Sequence, residues 1–344
     1  MKSPVTNCFL QKKISLINYA LNKFLDMKIR LFLLSLCLFF LSCDKKKAVE
    51  KVVEEIPMDI KVERFDQVFF ESKPTDLKKI KKQYPFFFPA GVPDSVWTNK
   101  IQNPLWRELY TEVQKKYSDI EPVRSELITL FKHIKHYFPK TKTPKAITVI
   151  AEMDYNNKVI YADSLVIISL ELYLGKDHKF YEFPKYIKQN FEQRQMMPDV
   201  VAAFSTSKIS VEKEKTLLSQ MIYYGKQLYL KDLLLPEYTD AEKMGYTPKE
   251  ISWCQENEAY IWRYFLENDM LYSDEPKLSS RFITPAPFSK FYLEIDNESP
   301  GQVGAWIGWQ IVRSYAENND VAIADLLKMN AKELFEKSKY KPKK

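Results

Sequence analysis

The sequence predicts an α+β domain, mostly α-helical, with a small central β-sheet. Three observations carry that prediction. Glycine is scarce, seven in 344 residues, while proline is not, at 19. That balance suits helices joined by stiff, proline-punctuated connections better than a turn-rich β protein. Apolar residues recur at helical spacing over much of the chain. The main strand-like runs gather between residues 146 and 170, which makes a sheet set among helices and not a repeated βαβ alternation.

Taken in order, the elements begin with a leader. Residues 31–42 are apolar, follow the basic Met27-Lys28-Ile29-Arg30, and close on Leu41-Ser42-Cys43. About 20 apolar residues are needed to span a bilayer as a helix, and this run is shorter. A basic start, an apolar middle and a small residue before cysteine read as a lipoprotein signal peptide over 27–42. Cys43 is then the lipid-bearing first residue of the mature chain, since several acyl chains hold a protein to a membrane where one does not. Residues 1–26 read as an upstream extension or an unusually long basic region, with Met27 the expected initiator. Residues 43–58 carry the lipid and a charged linker, and 59–344 read as a single α+β globular domain.

Within that domain residues 60–65 alternate apolar and polar, as a half-buried strand does, and a basic helix is expected near 76–84. Tyr84-Pro85-Phe86-Phe87-Phe88-Pro89 is too proline-rich for a regular element and reads as an aromatic plug over the core. Helices are expected at 103–117 and 120–137; in the second, Leu127, Leu130, Phe131, Ile134 and Phe138 share a face. Strands are expected at 146–150, 158–161 and 164–170, with Asp154-Tyr155-Asn156-Asn157 as the first turn. Helices then fill the remainder, near 183–196, 198–207, 211–231, 239–244, 248–268, 302–317, 323–327 and 331–337. The helix at 248–268 carries its own start signal: Thr247 as cap, Pro248 in the first position and Glu250 closing a capping box. Its apolar face is expected to run through Trp253, Asn257, Ile261 and Tyr264. Asn257 would then be a buried polar group in need of a partner, and reads as a tie to a neighbouring loop.

The chain holds 52 Lys+Arg against 45 Asp+Glu, a net charge of +7. Residues 1–43 contribute six of the basic residues and one acidic, which leaves 46 against 44 beyond them. So balanced a surface gives no footprint for nucleic acid. Past the leader, Cys43 and Cys254 are the remaining cysteines, and lipidation of Cys43 leaves no internal disulfide.

Catalytic signatures are weak. The three histidines, His133, His136 and His178, include no His-Glu-x-x-His, and zinc asks for three or four ligands. His133 and His136, flanked by Lys132 and Lys135, read as surface or rim residues. No Gly-x-Ser-x-Gly elbow exists, and Cys254 reads as a core cysteine before a nucleophile. Asp163, Glu171, Asp296 and Glu298 are the carboxylates available for a glycosidase-like pair, but nothing in the sequence joins two of them. No catalytic residue, metal or cofactor is expected. Gly301, Gly304 and Gly308 fall within eight residues. Gly304 and Gly308 share a helix face beside Trp306 and Trp309, which reads either as a tightly packed core helix or as a partner-docking surface. The aromatics Trp97, Trp106 and Tyr84 leave a glycan binder open.

Several runs can be joined. Ser169-Leu170-Glu171-Leu172-Tyr173-Leu174-Gly175, Pro184-Lys185-Tyr186-Ile187, Gly245-Tyr246-Thr247, Trp253-Cys254-Gln255-Glu256-Asn257, Arg281-Phe282-Ile283, Ala286-Pro287-Phe288-Ser289 and Pro300 to Tyr315 stand in the order found in one family. With them the chain resembles the gliding motility lipoprotein GldB family of the Bacteroidetes over essentially its whole mature length. The resemblance implies a cell-envelope lipoprotein, membrane-anchored at Cys43, that serves gliding and type IX secretion. It implies binding to other proteins of that machinery, with no enzymatic activity, cofactor or nucleic acid. More distantly, the order of sheet, Leu-Glu-Leu-Tyr-Leu-Gly and paired helices resembles predicted zinc-dependent peptidases, whose metal helix would fall near residues 219–226. His and Glu are missing there, which implies a degenerate zincin-like scaffold that lost its metal and kept a groove. The rival class is an envelope metal-dependent peptidase or other hydrolase.

Overall fold

The computed structural model describes residues 47–343; the signal peptide and Cys43 lie outside the described residues. The chain divides into two units, one up to Ile56 and one from Pro57 onward. In the first, residues 47–54 are helical (α1). The charged linker is therefore helical over these residues, which contain neither glycine nor proline and begin with good helix formers.

The second unit is built on four strands: β1 (Val62–Arg64), β2 (Lys145–Val149), β3 (Val159–Ala162) and β4 (Leu165–Ser169), in the order β1-β2-β4-β3. β1, β2 and β4 run parallel, while β3 folds back antiparallel on β4. Parallel strands want both faces covered, and in β2 Ala146, Ile147 and Thr148 are fully buried. The fold class is α+β, mainly helical, as the sequence indicates.

β1 stops at Arg64 because Phe65 opens α2 (Phe65–Phe70), which buries Phe65, Phe69 and Phe70. Asp66 is buried with them and fully answered. Arg64 grips it through Nε (3.0 Å) and Nη2 (2.7 Å), Gln114 donates at 2.9 Å and the Thr148 hydroxyl at 2.5 Å. A buried carboxylate persists only under such compensation. The aromatic run after α3 (Leu77–Gln83) does cover a core: Tyr84 and Phe88 are buried, and Phe65 meets Tyr84 and Phe87 at 4.9 and 4.3 Å between ring centres. Tyr84 is thus unavailable to a glycan. An unexpected helix follows, α4 (Asp94–Gln102), before α5 (Pro104–Lys116) and α6 (Glu121–Tyr137). Asn103 caps α5, its side-chain oxygen accepting from the N–H groups of Leu105 and Trp106.

One expected helix fails. Residues 183–196 form only α7 (Lys185–Lys188) and a short 3-10 turn. Phe183, Ile187 and Phe191 mimic helical spacing, but Phe191 gives its carbonyl to the Gly175 N–H at 2.9 Å and packs its ring on Tyr181 and Phe183. A long-range contact overrides the local period. The rest runs α8 (Met196–Ser205), α9 (Leu217–Leu234), α10 (Asp240–Met244), α11 (Pro248–Glu267), α12 (Pro276–Phe282), α13 (Val303–Asn318), α14 (Ile323–Leu326) and α15 (Ala331–Ser338). α9 starts later than its apolar pattern suggests, at the Thr216 cap.

Both capping boxes, Thr239 with Glu242 and Thr247 with Glu250, are formed. The buried face of α11 is rotated from the expected one, running through Cys254, Glu258, Ile261, Trp262 and Phe265. Asn257 is half-buried and donates to the Trp253 carbonyl at 2.9 Å, a tie within its own helix and not to a loop. Glu258 takes the buried place and accepts from the Tyr340 hydroxyl at 2.7 Å.

α9 and α13 cross at glycines. A Cβ on Gly308 would overlap the Met221 carbonyl, and one on Gly225 would overlap the backbone of Gly308 and Trp309. Lys226, buried beside that crossing, donates to the carbonyls of Leu327 (3.3 Å) and Met329 (2.5 Å). Burial pushes its pKa down to about 8. Among the described residues no helix is long and apolar enough to cross a membrane.

Candidate functional site

β3 is the last strand of the sheet, so one of its edges is left to the surroundings. A groove of about 440 Å³ follows it from Tyr155 to Tyr161, with Asp199 and Ala202 of α8, Thr206 just beyond that helix, and Gln227 of α9 opposite. It shares Tyr155, Lys158, Asp199, Ala202 and Gln227 with a further cavity of about 440 Å³ that reaches α9, the turn before α11 and the start of α13. The two make one cleft.

Its charged groups are placed by separate elements. Lys158, at the head of β3, pairs with Asp199 of α8 at 2.5 Å. The buried Tyr173 donates to the same carboxylate at 2.8 Å, and the Lys158 ammonium lies 5.4 Å from the centre of its ring. Lys231, on α9, donates to the Lys243 carbonyl at 2.8 Å. Desolvation pushes its pKa down to about 8; Asp199 opposes the shift and Lys158 adds to it. Glu250 is occupied with the cap of α11. The far wall carries a strained residue: Gln302 is left-handed, at φ +62°, and its amide donates to the Ile283 carbonyl at 3.1 Å. Such a backbone costs a non-glycine residue about 1 kcal/mol or more.

Four of the runs that carry the family resemblance meet here although they are far apart in sequence. Tyr186 and Ile187, Gly245 and Tyr246, Ala286, and Gly301, Gln302 and Ala305 all line the cleft. Tyr173 reaches it through Asp199, and Ile283 holds Gln302. Tyr246 donates to the Gly301 carbonyl and so closes the wall. Compared with known protein families, residues 46–342 match the gliding motility protein GldB. The chain belongs to that family. Comparison with curated proteins and with solved structures gives no significant match. In this GldB-family chain, then, four of the runs that carry the resemblance line one cleft.

The residues singled out from sequence fall elsewhere. Cys43 lies outside the described residues. Gly304, Trp306, Gly308 and Trp309 are buried within α13 and pack on this chain's own helices, behind the cleft wall. His133 is buried, not on a rim, with Nδ1 2.9 Å from the Thr129 carbonyl. Cys254 is buried too, and burial raises its thiol pKa, which keeps it protonated. Of the four carboxylates, Asp163, Glu171 and Asp296 share no partner, and Glu298 stands two residues from Asp296 in the turn 294–298. Asp163 pairs with Lys142, Asp296 caps the 291–293 backbone, and Glu171 is fully buried. Among the described residues no three His, Cys, Asp or Glu are grouped to hold a metal ion. Lys158, Asp199 and Lys231 were not found from the sequence. One signal was available, two lysines (Lys226 and Lys231) set in the apolar helix α9.

Glu171 yields a prediction of its own. Its Oε1 accepts the Ala151 N–H at 2.9 Å, its buried Oε2 has no hydrogen-bond partner, and burial pushes the pKa up to about 7. The folded state therefore holds this proton more tightly than the unfolded chain, and the stability it contributes is lost as pH rises from about 4.5 through 7. Glu171→Gln removes that loss. In urea titrations the variant is expected to match wild type near pH 5 and to gain on it by up to roughly 3 kcal/mol by pH 8. A stability difference that does not change with pH would refute the assignment.

Proposed function

We propose that this protein is a lipid-anchored component of the gliding machinery at the cell envelope, held at Cys43. It binds other gliding or type IX secretion proteins through the cleft and does not catalyse a reaction there. The observation that carries this reading is that four of the runs that carry the family resemblance line one cleft whose charged groups already have structural work. Asp199 is held by Lys158 and Tyr173, Glu250 caps a helix, and Lys231 sits on a carbonyl. Groups tied in this way suit a surface that holds a partner. The more distant likeness to zinc peptidases fits a helix, α9, that gave up ligands for packing; Met221 and Ile222, in the stretch where ligands would stand, are fully buried.

The test is made in gliding cells. Ala202→Trp fills the cleft between β3 and α8. It is expected to leave the protein folded, lipidated and at normal abundance in membranes while colonies fail to spread. Spreading at the wild-type rate would overturn the role given to the cleft. Cys43→Ala tests the anchor separately, with a soluble product and lost gliding expected.

A further inference from the structure

The cleft brings together two chemistries, and each narrows what it can hold. The first is backbone. Lys158 accepts the Ser169 N–H at 3.0 Å, and the pairs Ile160↔Ile167 and Ala162↔Leu165 follow in the same phase. In an antiparallel ladder these residues turn N–H and C=O toward β4, and the residues between them turn theirs away. Val159 and Tyr161 thus present their backbone groups to the groove that runs along the free edge. A bound helix cannot answer them, because its own backbone is paired within itself. An extended chain can.

The second is charge. Among the described residues Lys231 forms no ion pair. Asp199, the nearby anion, is already engaged by Lys158 and Tyr173. Lys231 lines the same cavity as Lys158 and Asp199, within range of both charges. A cation so placed, partly removed from water and lacking a counter-ion, favours an anionic occupant. A neutral chain would dehydrate it further without compensation.

We propose that the cleft takes an extended acidic peptide segment of a partner protein, its backbone pairing with Val159 and Tyr161 of β3 and its side-chain carboxylate meeting Lys231. This rests on the binding role argued above and adds the class of ligand.

The test uses the full-length lipoprotein in detergent and a fluorescent octapeptide of alternating threonine and valine with one central aspartate. Two controls replace the aspartate by asparagine or methylate alternate backbone amides. Anisotropy is expected to show the aspartate peptide binding at least about tenfold more tightly than the asparagine one, and the methylated peptide not binding. Lys231→Gln, which keeps a donor for the Lys243 carbonyl, is expected to abolish the tenfold preference, and Lys231→Arg to retain it. Equal affinity for the two peptides, a preference that survives Lys231→Gln, or failure of the aspartate peptide to bind would overturn the inference. If Ala202→Trp still stops gliding, only the ligand class falls. If gliding survives Ala202→Trp, the binding role falls with it.

Discussion

Gly308→Ala is expected to cost about 3 kcal/mol or more, a large share of the roughly 5–15 kcal/mol that keeps a domain folded. Overpacking a core costs about 1–3 kcal/mol when flexible side chains can yield. Here the added methyl meets the Met221 carbonyl of the facing helix, and backbone cannot rotate aside as a side chain can. α9 and α13 would have to separate, exposing Met221, Ile222, Ile307 and Ile311, all of which are fully buried. Gly225→Ala should be nearly as severe, since its methyl meets the backbone of Gly308 and Trp309 from the other side. Gly304→Ala should be milder. Its nearest atoms are the Phe282 carbonyl at 2.9 Å and the movable Ile283 side chain at 3.0 Å. Urea unfolding of the three variants gives the ranking. A Gly308→Ala protein within about 0.5 kcal/mol of wild type would show that the helices do not touch as described.

Arg313→Met is expected to cost about 2–4 kcal/mol, somewhat under the penalty for a fully buried pair, because it strips the cation from a network that is only partly buried. Arg313 makes two-pronged contacts with two carboxylates at once: Asp232 at 2.7 and 2.7 Å, Asp240 at 2.7 and 2.8 Å. Its guanidinium lies 3.7 Å from the Trp309 ring centre, and the Trp309 indole N–H donates to Asp232 at 2.8 Å. Methionine fills the space but leaves two anions with Lys243 as the remaining close cation, 3.0 Å from Asp232. The variant should also lose an acid-sensitive part of its stability. Burial alone would raise the Asp240 pKa, and Arg313 more than reverses it, so the folded value lies below the ordinary one. Stability from that depression is present at neutral pH and disappears as pH falls through the folded pKa. The exposed Lys337–Glu333 pair, 2.7 Å apart, offers a comparison. Lys337→Met there should leave stability nearly unchanged. Similar losses in the two variants would refute the network's importance.

Local chemistry was readable from the sequence where it acts over three or four residues. Thr247, Pro248 and Glu250 announce the start of α11, and the β-branched runs at 146–149 and 165–168 announce two strands. The misreadings come from contacts made over distance. Phe183, Ile187 and Phe191 share a helical period, yet the Gly175 N–H claims the Phe191 carbonyl and the helix stops after the short α7. On α11 one residue of phase, about 100° around the helix, separated the expected Asn257 from the buried Glu258, because Tyr340, 82 residues away, supplies the partner that lets Glu258 go inside. The cleft was still less legible. Lys158, Asp199 and Lys231 lie on three elements, and only the tertiary fold makes them neighbours.

The glycine crossing also governs how the protein can respond to load. Packed helices slide past one another when their side chains re-seat, and two backbones in direct contact have no side chains between them to do so. α9 and α13 therefore behave as one welded beam. Since α9 supplies Gln227 and Lys231 and α13 supplies Ala305, one jaw of the cleft is fixed in width. On the proposed binding role, tension arriving through a seated partner would be passed to the body of the domain without stretching that jaw.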